Sequence, residues 1–140
     1  MNYMLVKNFY CSILFVLIVG TLFAQEPAVF EEPINGPKIV FSEDRHEFGD
    51  IIQGDVIEHV FEFTNSGNAP LVLQDVKTTC GCTVPEWPRT PLAPGATAEL
   101  KVKFNSAGKI GIQNKVITVI SNATNQTSRV MIVTNVNPKS

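Results

Sequence analysis

Apolar and polar residues alternate through most of the sequence between residues 38 and 136, and this alternation sets the fold class. In the segment 99–104, for example, Leu100, Val102 and Phe104 alternate with three charged residues. Successive side chains of a β-strand point to opposite faces, so this pattern predicts a strand with one buried and one solvated face. No stretch of useful length in this region carries apolar residues at helical spacing. The chain is therefore predicted to be all-β.

About seven strands are predicted, separated by turns rich in Gly, Asn and Pro. Their spacing of roughly 8–12 residues is typical of a β-sandwich, in which two antiparallel sheets bury their apolar faces against each other. We expect one small domain at residues 38–136 and a polar tail at 137–140. The predicted strands cover residues 38–41, 45–48, 56–65, 71–77, 99–104, 115–121 and 128–136.

The first 24 residues have the layout of a secretory signal peptide. Residues 9–22 are almost wholly apolar, and Ala24 precedes a polar segment that contains proline. Such an apolar run is shorter than the ~20 residues that span a bilayer, so an uncleaved membrane anchor is the less favoured alternative. Cleavage after Ala24 would leave a flexible, Glu- and Pro-rich lead-in at 25–37 and no transmembrane span. We therefore expect a periplasmic or secreted protein, in a compartment where disulfides persist.

Composition excludes several classes of function. The net charge is −2, and no cluster of basic residues occurs, which argues against binding to nucleic acid or to anionic membranes. The sequence shows no hydrolase constellation and no Gly-rich phosphate loop opening a helix. We therefore expect a non-enzymatic protein without a cofactor, whose partner is another envelope or secreted protein.

Several motifs occur together in an order that resembles a known family, the bacterial secreted domains of unknown function numbered fifteen seventy-three. The resemblance covers residues 38–136 and implies an immunoglobulin-like sandwich, similar to PapD-like chaperone and major-sperm-protein domains. It implies no catalytic activity. The motifs are His46-Glu-Phe48-Gly49-Asp-Ile51, Phe61-Glu-Phe63-Thr-Asn65-Ser-Gly67, Pro70-Leu71, Val76-Lys-Thr-Thr-Cys80-Gly81-Cys82-Thr83 and Pro94-Gly95.

The Cys80-Gly81-Cys82 segment (a CxC motif) interrupts the strands at mid-chain and is the main candidate site. Its cysteines could be small residues at a bend, with Gly81 supplying an unusual backbone angle. They could also form a small, strained and labile disulfide, which closes almost no loop and would stabilise the fold little. A third possibility is exchange or cross-linking with a partner. We rank a structural or labile disulfide first and partner exchange second.

Metal binding is the third-ranked interpretation of the cysteine pair. Two thiolates supply half of a closed zinc site, which needs four ligands. The only histidines are His46 and His59. His46 is kept as a candidate ligand beside Cys80 and Cys82, whereas the apolar strand face around His59 favours a partly buried structural role.

The loop after the cysteines contains four prolines and the only tryptophan, Trp87. Proline removes donors from a β-ladder, so this loop cannot be a central strand. For Trp87 we favour an anchor packed over the end of the sandwich, and an exposed contact for a protein or glycan partner is the alternative. The sequence thus supports two functional hypotheses. The first is an interaction or envelope-assembly module, and the second is thiol–disulfide or copper and zinc handling.

Overall fold

The computed structural model describes residues 35–140, so the predicted signal peptide and most of the predicted lead-in lie outside the described residues. The described chain contains eight strands and no helix. Within this part, no helix is long and apolar enough to cross a membrane. The strands are β1 (Ile39–Phe41), β2 (Arg45–Ile52), β3 (Val56–Asn65), β4 (Leu73–Thr78), β5 (Thr83–Glu86), β6 (Thr97–Asn105), β7 (Gly111–Ser121) and β8 (Thr127–Asn137).

The strands form two four-stranded sheets, which confirms the predicted all-β sandwich. Sheet A has the order β1-β3-β6-β5, and sheet B has the order β2-β8-β7-β4. The prediction of purely antiparallel sheets was wrong at one place, because β2 pairs with β8 in parallel. The chain crosses from sheet A to sheet B between β1 and β2, and β2 then runs in the same direction as β8.

The core lies between the two sheets and is built by the alternating residues that the sequence pattern identifies. Phe61, Phe63 and Phe104 are fully buried on the inner face of sheet A. Ile117 and Ile132 face them from sheet B and are at most 1% exposed. The apolar faces thus cover each other, which is the arrangement that stabilises a two-sheet sandwich.

Strand β5 falls inside the segment that was predicted to be a loop. It contains Pro85 and pairs with β6 at the edge of sheet A. Asn105 donates its backbone N–H to the Cys82 carbonyl at 2.9 Å, so in the alternating ladder Thr83 and Pro85 direct their backbone groups away from β6. An N–H at residue 85 would point away from β6, so the proline removes no hydrogen bond from the ladder.

Further boundaries also differ from those predicted, and β7 begins at Gly111 instead of residue 115. Strand β2 continues past Gly49 through an irregularity in its register, and Gly49 has φ +73°. Such a bulge lets a strand continue beyond a glycine. The hydrogen-bonded fold also begins before residue 38, because the Pro37 carbonyl accepts from Thr124 N–H at 2.8 Å and Gly36 bonds to Asn68.

A buried asparagine holds three segments at one end of the sandwich. Asn65 is fully buried, and its side-chain amide donates to the carbonyls of Ala69 and Leu92 at 2.8 and 3.0 Å. Its side-chain oxygen accepts from the backbone N–H groups of Lys38 and Gly67 at 3.3 and 3.1 Å. The first strand, the β3–β4 turn and the proline-rich loop are therefore tied to a single side chain.

Candidate functional site

The Cys80-Gly81-Cys82 segment lies where the chain crosses from sheet B to sheet A, between β4 and β5. Cys80 and Cys82 form a disulfide, with their Cα atoms 5.3 Å apart. The turn is held by Thr78, whose hydroxyl lies 3.0 Å from the Cys80 carbonyl oxygen and 3.2 Å from that of Thr83. Thr83 N–H also donates to the Cys80 carbonyl at 3.2 Å.

Gly81 does not supply the unusual backbone angle that was considered for it. It is not among the glycines with positive φ, and a Cβ at this position would meet no atom within 4 Å. Gly81 is exposed and has no side chain, so it does not shield the disulfide from solvent. The turn is shaped by the hydrogen bonds of Thr78 and Thr83 and by the covalent link.

A shallow groove of about 410 Å³ lies beside the disulfide on the outer face of sheet A. Its apolar walls are Val56 on β3 and Val84 on β5, which are 55% and 53% exposed. Lys103 lies between them and forms a 3.2 Å ion pair with Glu58, whose carboxylate also lies 3.9 Å from Lys101. The other lining residues are Gly81, Cys82, Asn105 and Ala107.

A partly buried cation lies on the inner side of this end of the sandwich. Lys115 on β7 places its ammonium 5.5 Å from the centroid of the Phe104 ring. Burial, and secondly the charge of Lys109, lower the pKa of Lys115. Phe104 pairs with Thr83 in the ladder, so this lysine lies behind the start of β5.

Trp87 is half-buried and packs against the hydrophobic core. The guanidinium carbon of Arg89 lies 3.7 Å from the centroid of its ring, so a cation covers one aromatic face. Its indole N–H is buried and has no hydrogen-bond partner among the described residues. Much of this side chain is therefore occupied by contacts within the domain.

His46 does not lie near the cysteines. It belongs to β2 at one edge of sheet B, whereas Cys80 follows β4 at the opposite edge. Three strand spacings separate these edges, or about 14 Å, which is more than the two side chains can bridge to share one ion. The structure therefore joins Cys80 to Cys82 and brings His46 to a different group of residues.

That group consists of Glu43, His46 and His59, at the rim of the sandwich beside β1 and β2. His46 projects inward from sheet B and His59 from sheet A, and their rings stack with centroids 3.5 Å apart. Glu43, in the β1–β2 connection, places Oε1 2.5 Å from His59 Nε2 and 3.9 Å from His46 Nδ1. The three potential ligand atoms all lie within 4.8 Å of one another.

Residues 39–136 match the family described as "Protein of unknown function (DUF1573)". The chain belongs to this family. The match confirms the resemblance seen in the motifs, and it spans nearly the whole of the sandwich. No curated protein matches the sequence significantly.

Three solved structures show how widely this fold occurs. A protein of unknown function from Porphyromonas gingivalis W83 is 19% identical, with a TM-score of 0.63 over 74% of this chain and 49% of the other. The ASH/PapD-like domain 7 of human CEP192 is 12% identical, with a TM-score of 0.60 over 78% and 94%. The secreted serine protease VesC from Vibrio cholerae is 15% identical, with a TM-score of 0.55 over 71% and 23%.

At these identities the comparisons show the fold alone, a PapD-like, immunoglobulin-like sandwich, and no catalytic family is indicated. This chain spans about half the length of the Porphyromonas gingivalis protein. Sequence reasoning missed Glu43 and the groove valines. A Glu three residues before a His is a weak signal, and outward valines on strands are common.

Proposed function

We propose that this chain is a non-enzymatic, extracytoplasmic interaction module that binds another envelope or secreted protein at the groove beside the disulfide. The observation that carries the proposal is the pair of exposed valines, Val56 and Val84, on either side of Lys103, which is ion-paired with Glu58. Strand spacing puts these valines on the order of 10–12 Å apart. An extended segment of a partner could cover both with alternate side chains.

The edge strands of the two sheets also favour partner binding on the side of the sandwich that carries the disulfide. At the edge of β1, Asn125 bonds both the N–H and the C=O of Ile39, at 3.2 and 2.8 Å, so the edge of this three-residue strand is capped at Ile39. Strand β2 carries a bulge, which discourages edge pairing. The edge of β4 at 75–78 has no such cap among the hydrogen bonds of the described residues. This edge adjoins the disulfide turn and could pair with an added strand.

The proposal is tested by site-specific photo-crosslinking in the native envelope. A photoreactive residue at Val84 or Val56 should give a discrete adduct with one protein, whereas one at Val40, on the outer face near the opposite edge, should not. Adduct formation at all three positions alike, or a monomer with no adduct at any of them, would contradict the proposal.

Once that partner is identified, Val84→Asp is expected to weaken its binding by at least ~10-fold, because a carboxylate would replace the apolar wall of the groove. Val84 is exposed, so the free energy of unfolding should change by no more than about 0.5 kcal/mol. Val60→Asp is the matched control, since Val60 is an exposed valine of the same sheet outside the groove lining. Titration calorimetry and urea unfolding measure the two quantities, and equal effects of both substitutions on binding would speak against the groove.

A second candidate function is thiol–disulfide exchange through Cys80 and Cys82. The disulfide supports it, since both cysteines are partly exposed and Gly81 between them is open. Intact-mass measurement with thiol alkylation of the exported protein tests this candidate. A disulfide that is reduced rapidly and forms a mixed disulfide with a partner thiol would support it, and an inert disulfide would exclude it.

Replacing both cysteines by serine is expected to lower the free energy of unfolding by less than about 2 kcal/mol. The disulfide closes a loop of only three residues, for which the chain-entropy account gives about 1.6 kcal/mol. Denaturant unfolding of Cys80→Ser/Cys82→Ser beside the oxidised wild type measures the difference. A loss of 4 kcal/mol or more, on the order of what long-loop disulfides contribute, would show that the link is a structural staple.

A further inference from the structure

We propose that Glu43, His46 and His59 form a binding site for a divalent transition-metal ion, for which Zn²⁺ is the test ion. This site lies at the β1–β2 side of the sandwich, opposite the disulfide. It is independent of the proposed interaction surface and uses none of its residues.

Three different parts of the fold bring the ligands together. Strand β1 pairs with β3 only at residues 63–65, and the chain then crosses to sheet B, so among the described strands none pairs with the β1 side of β3 at the level of His59. Glu43 lies on this crossover, and His46 follows it on β2. A single ion bound here would link both sheets and the connection between them.

Two imidazoles and one carboxylate are an established ligand set for zinc with an open coordination position. Both imidazoles are neutral ligands when deprotonated, and the carboxylate supplies one negative charge. Among divalent first-row ions, nitrogen-rich sites of this kind favour copper and zinc over manganese and iron. The class of ligand is therefore a late divalent transition metal rather than Ca²⁺ or Mg²⁺, which prefer oxygen.

The ligand atoms need only small movements to reach coordination distances. Zinc bonds of about 2.0–2.1 Å place tetrahedral ligand atoms about 3.3 Å from one another. Glu43 Oε1 is closer than this to His59 Nε2, at 2.5 Å, and more distant from His46 Nδ1, at 3.9 Å. The two imidazole nitrogens lie within 4.8 Å of each other, so rotations that move the three atoms by about 1–1.5 Å, with the rings tilting apart from their parallel stack, would bring them to coordination distances.

The site combines access for an ion with an apolar support. The side chains of Glu43, His46 and His59 are 41%, 32% and 18% exposed, so an ion and a water ligand can reach them. Phe48 and Phe61 contact the two imidazoles edge-on, at centroid distances of 4.7 Å each. These contacts place the two rings beside Glu43 on an apolar support.

The test is Zn²⁺ binding to tag-free protein, measured by competition with a chromophoric chelator. We expect one Zn²⁺ per chain, and we expect Glu43→Gln and His46→Gln each to weaken binding by at least ~100-fold, more than the loss of a residue that only orients a ligand would cause. Co²⁺ should replace Zn²⁺ and give the visible absorption of a tetrahedral site, which the two variants should lack.

Two controls separate this site from other zinc ligands. Glu47→Gln removes an exposed carboxylate of β2, the strand that carries His46, and should leave Zn²⁺ affinity unchanged. Cys80→Ser/Cys82→Ser should also bind one Zn²⁺, because the cysteines lie at the opposite edge. Thermal unfolding verifies that each variant is folded. Absence of stoichiometric Zn²⁺ binding by the wild type, persistence of binding in Glu43→Gln and His46→Gln, or its loss in the cysteine variant would each overturn the proposal.

Discussion

Asn65→Ala is expected to lower the free energy of unfolding by at least about 3 kcal/mol. The side chain is fully buried and makes four hydrogen bonds to backbone groups of Lys38, Gly67, Ala69 and Leu92. Alanine would leave these groups without their partner, and a buried polar group that loses its partner costs about 1–3 kcal/mol. Water would reach some of these four backbone groups, so the expected loss of stability is set well below the sum of four such penalties. Urea unfolding, with the slope compared between variants, measures the loss.

Asn122→Ala is the matched control for this prediction. Asn122 also bonds two backbone groups, the N–H of Val72 at 2.8 Å and the carbonyl of Pro70 at 3.1 Å, but it is exposed. Water can replace an exposed side chain as partner, so this substitution should cost no more than about 1 kcal/mol. If both substitutions cost the same, burial is not what makes Asn65 important.

The sequence pattern predicted strands well where one face is buried and the other solvated. Strands β3 and β6 were predicted almost to their ends, because Phe61, Phe63, Leu100 and Phe104 alternate with charged residues. Strand β5 was missed because its four residues include Pro85, and a proline signals a loop unless the edge position is known. The parallel pairing of β2 depends on which sheet the chain enters, and local alternation carries no such information.

The two candidate sites differ in how far sequence could identify them. Cys80 and Cys82 are neighbours in the chain, so their disulfide could be considered from spacing alone. His46 and His59 lie on different sheets, and alternation gives only the face of each strand. Their stacking depends on the crossover between β1 and β2, which also positions Glu43. The sequence correctly predicted an inward, partly buried His59 but could not identify its partners.

The fold separates the two sites by placing them at opposite sides of the sandwich. One lies at the β4–β5 crossover and the other at the β1–β2 crossover. Residues in a crossover are not paired in a β-ladder, so their side chains can form a binding site without disturbing strand pairing. Between them, the inner faces are filled by the apolar core. Substitutions at one site should therefore have additive effects with substitutions at the other.

Gly67→Ala is also expected to lower the free energy of unfolding by about 3 kcal/mol or more. A Cβ at Gly67 would overlap the carbonyl oxygen of Gly36 and would lie 2.6 Å from the amide nitrogen of Lys38. These are backbone atoms, which cannot rotate away as the end of a side chain can, so relief requires displacement of the segment 36–38. That displacement would break the bonds from Ser66 N–H to the Lys38 carbonyl and from Asn68 N–H to the Gly36 carbonyl.

Gly81→Ala is the control for Gly67→Ala, because it makes the same chemical change in open space. Neither glycine has positive φ, and a Cβ at Gly81 would meet nothing within 4 Å, so Gly81→Ala should alter stability by at most about 0.5 kcal/mol. Hydrogen exchange would then locate the damage in Gly67→Ala. We expect loss of protection first in β1, which the displaced segment leads into, and an equally stable Gly67→Ala protein with a protected β1 would contradict the close packing of these backbones.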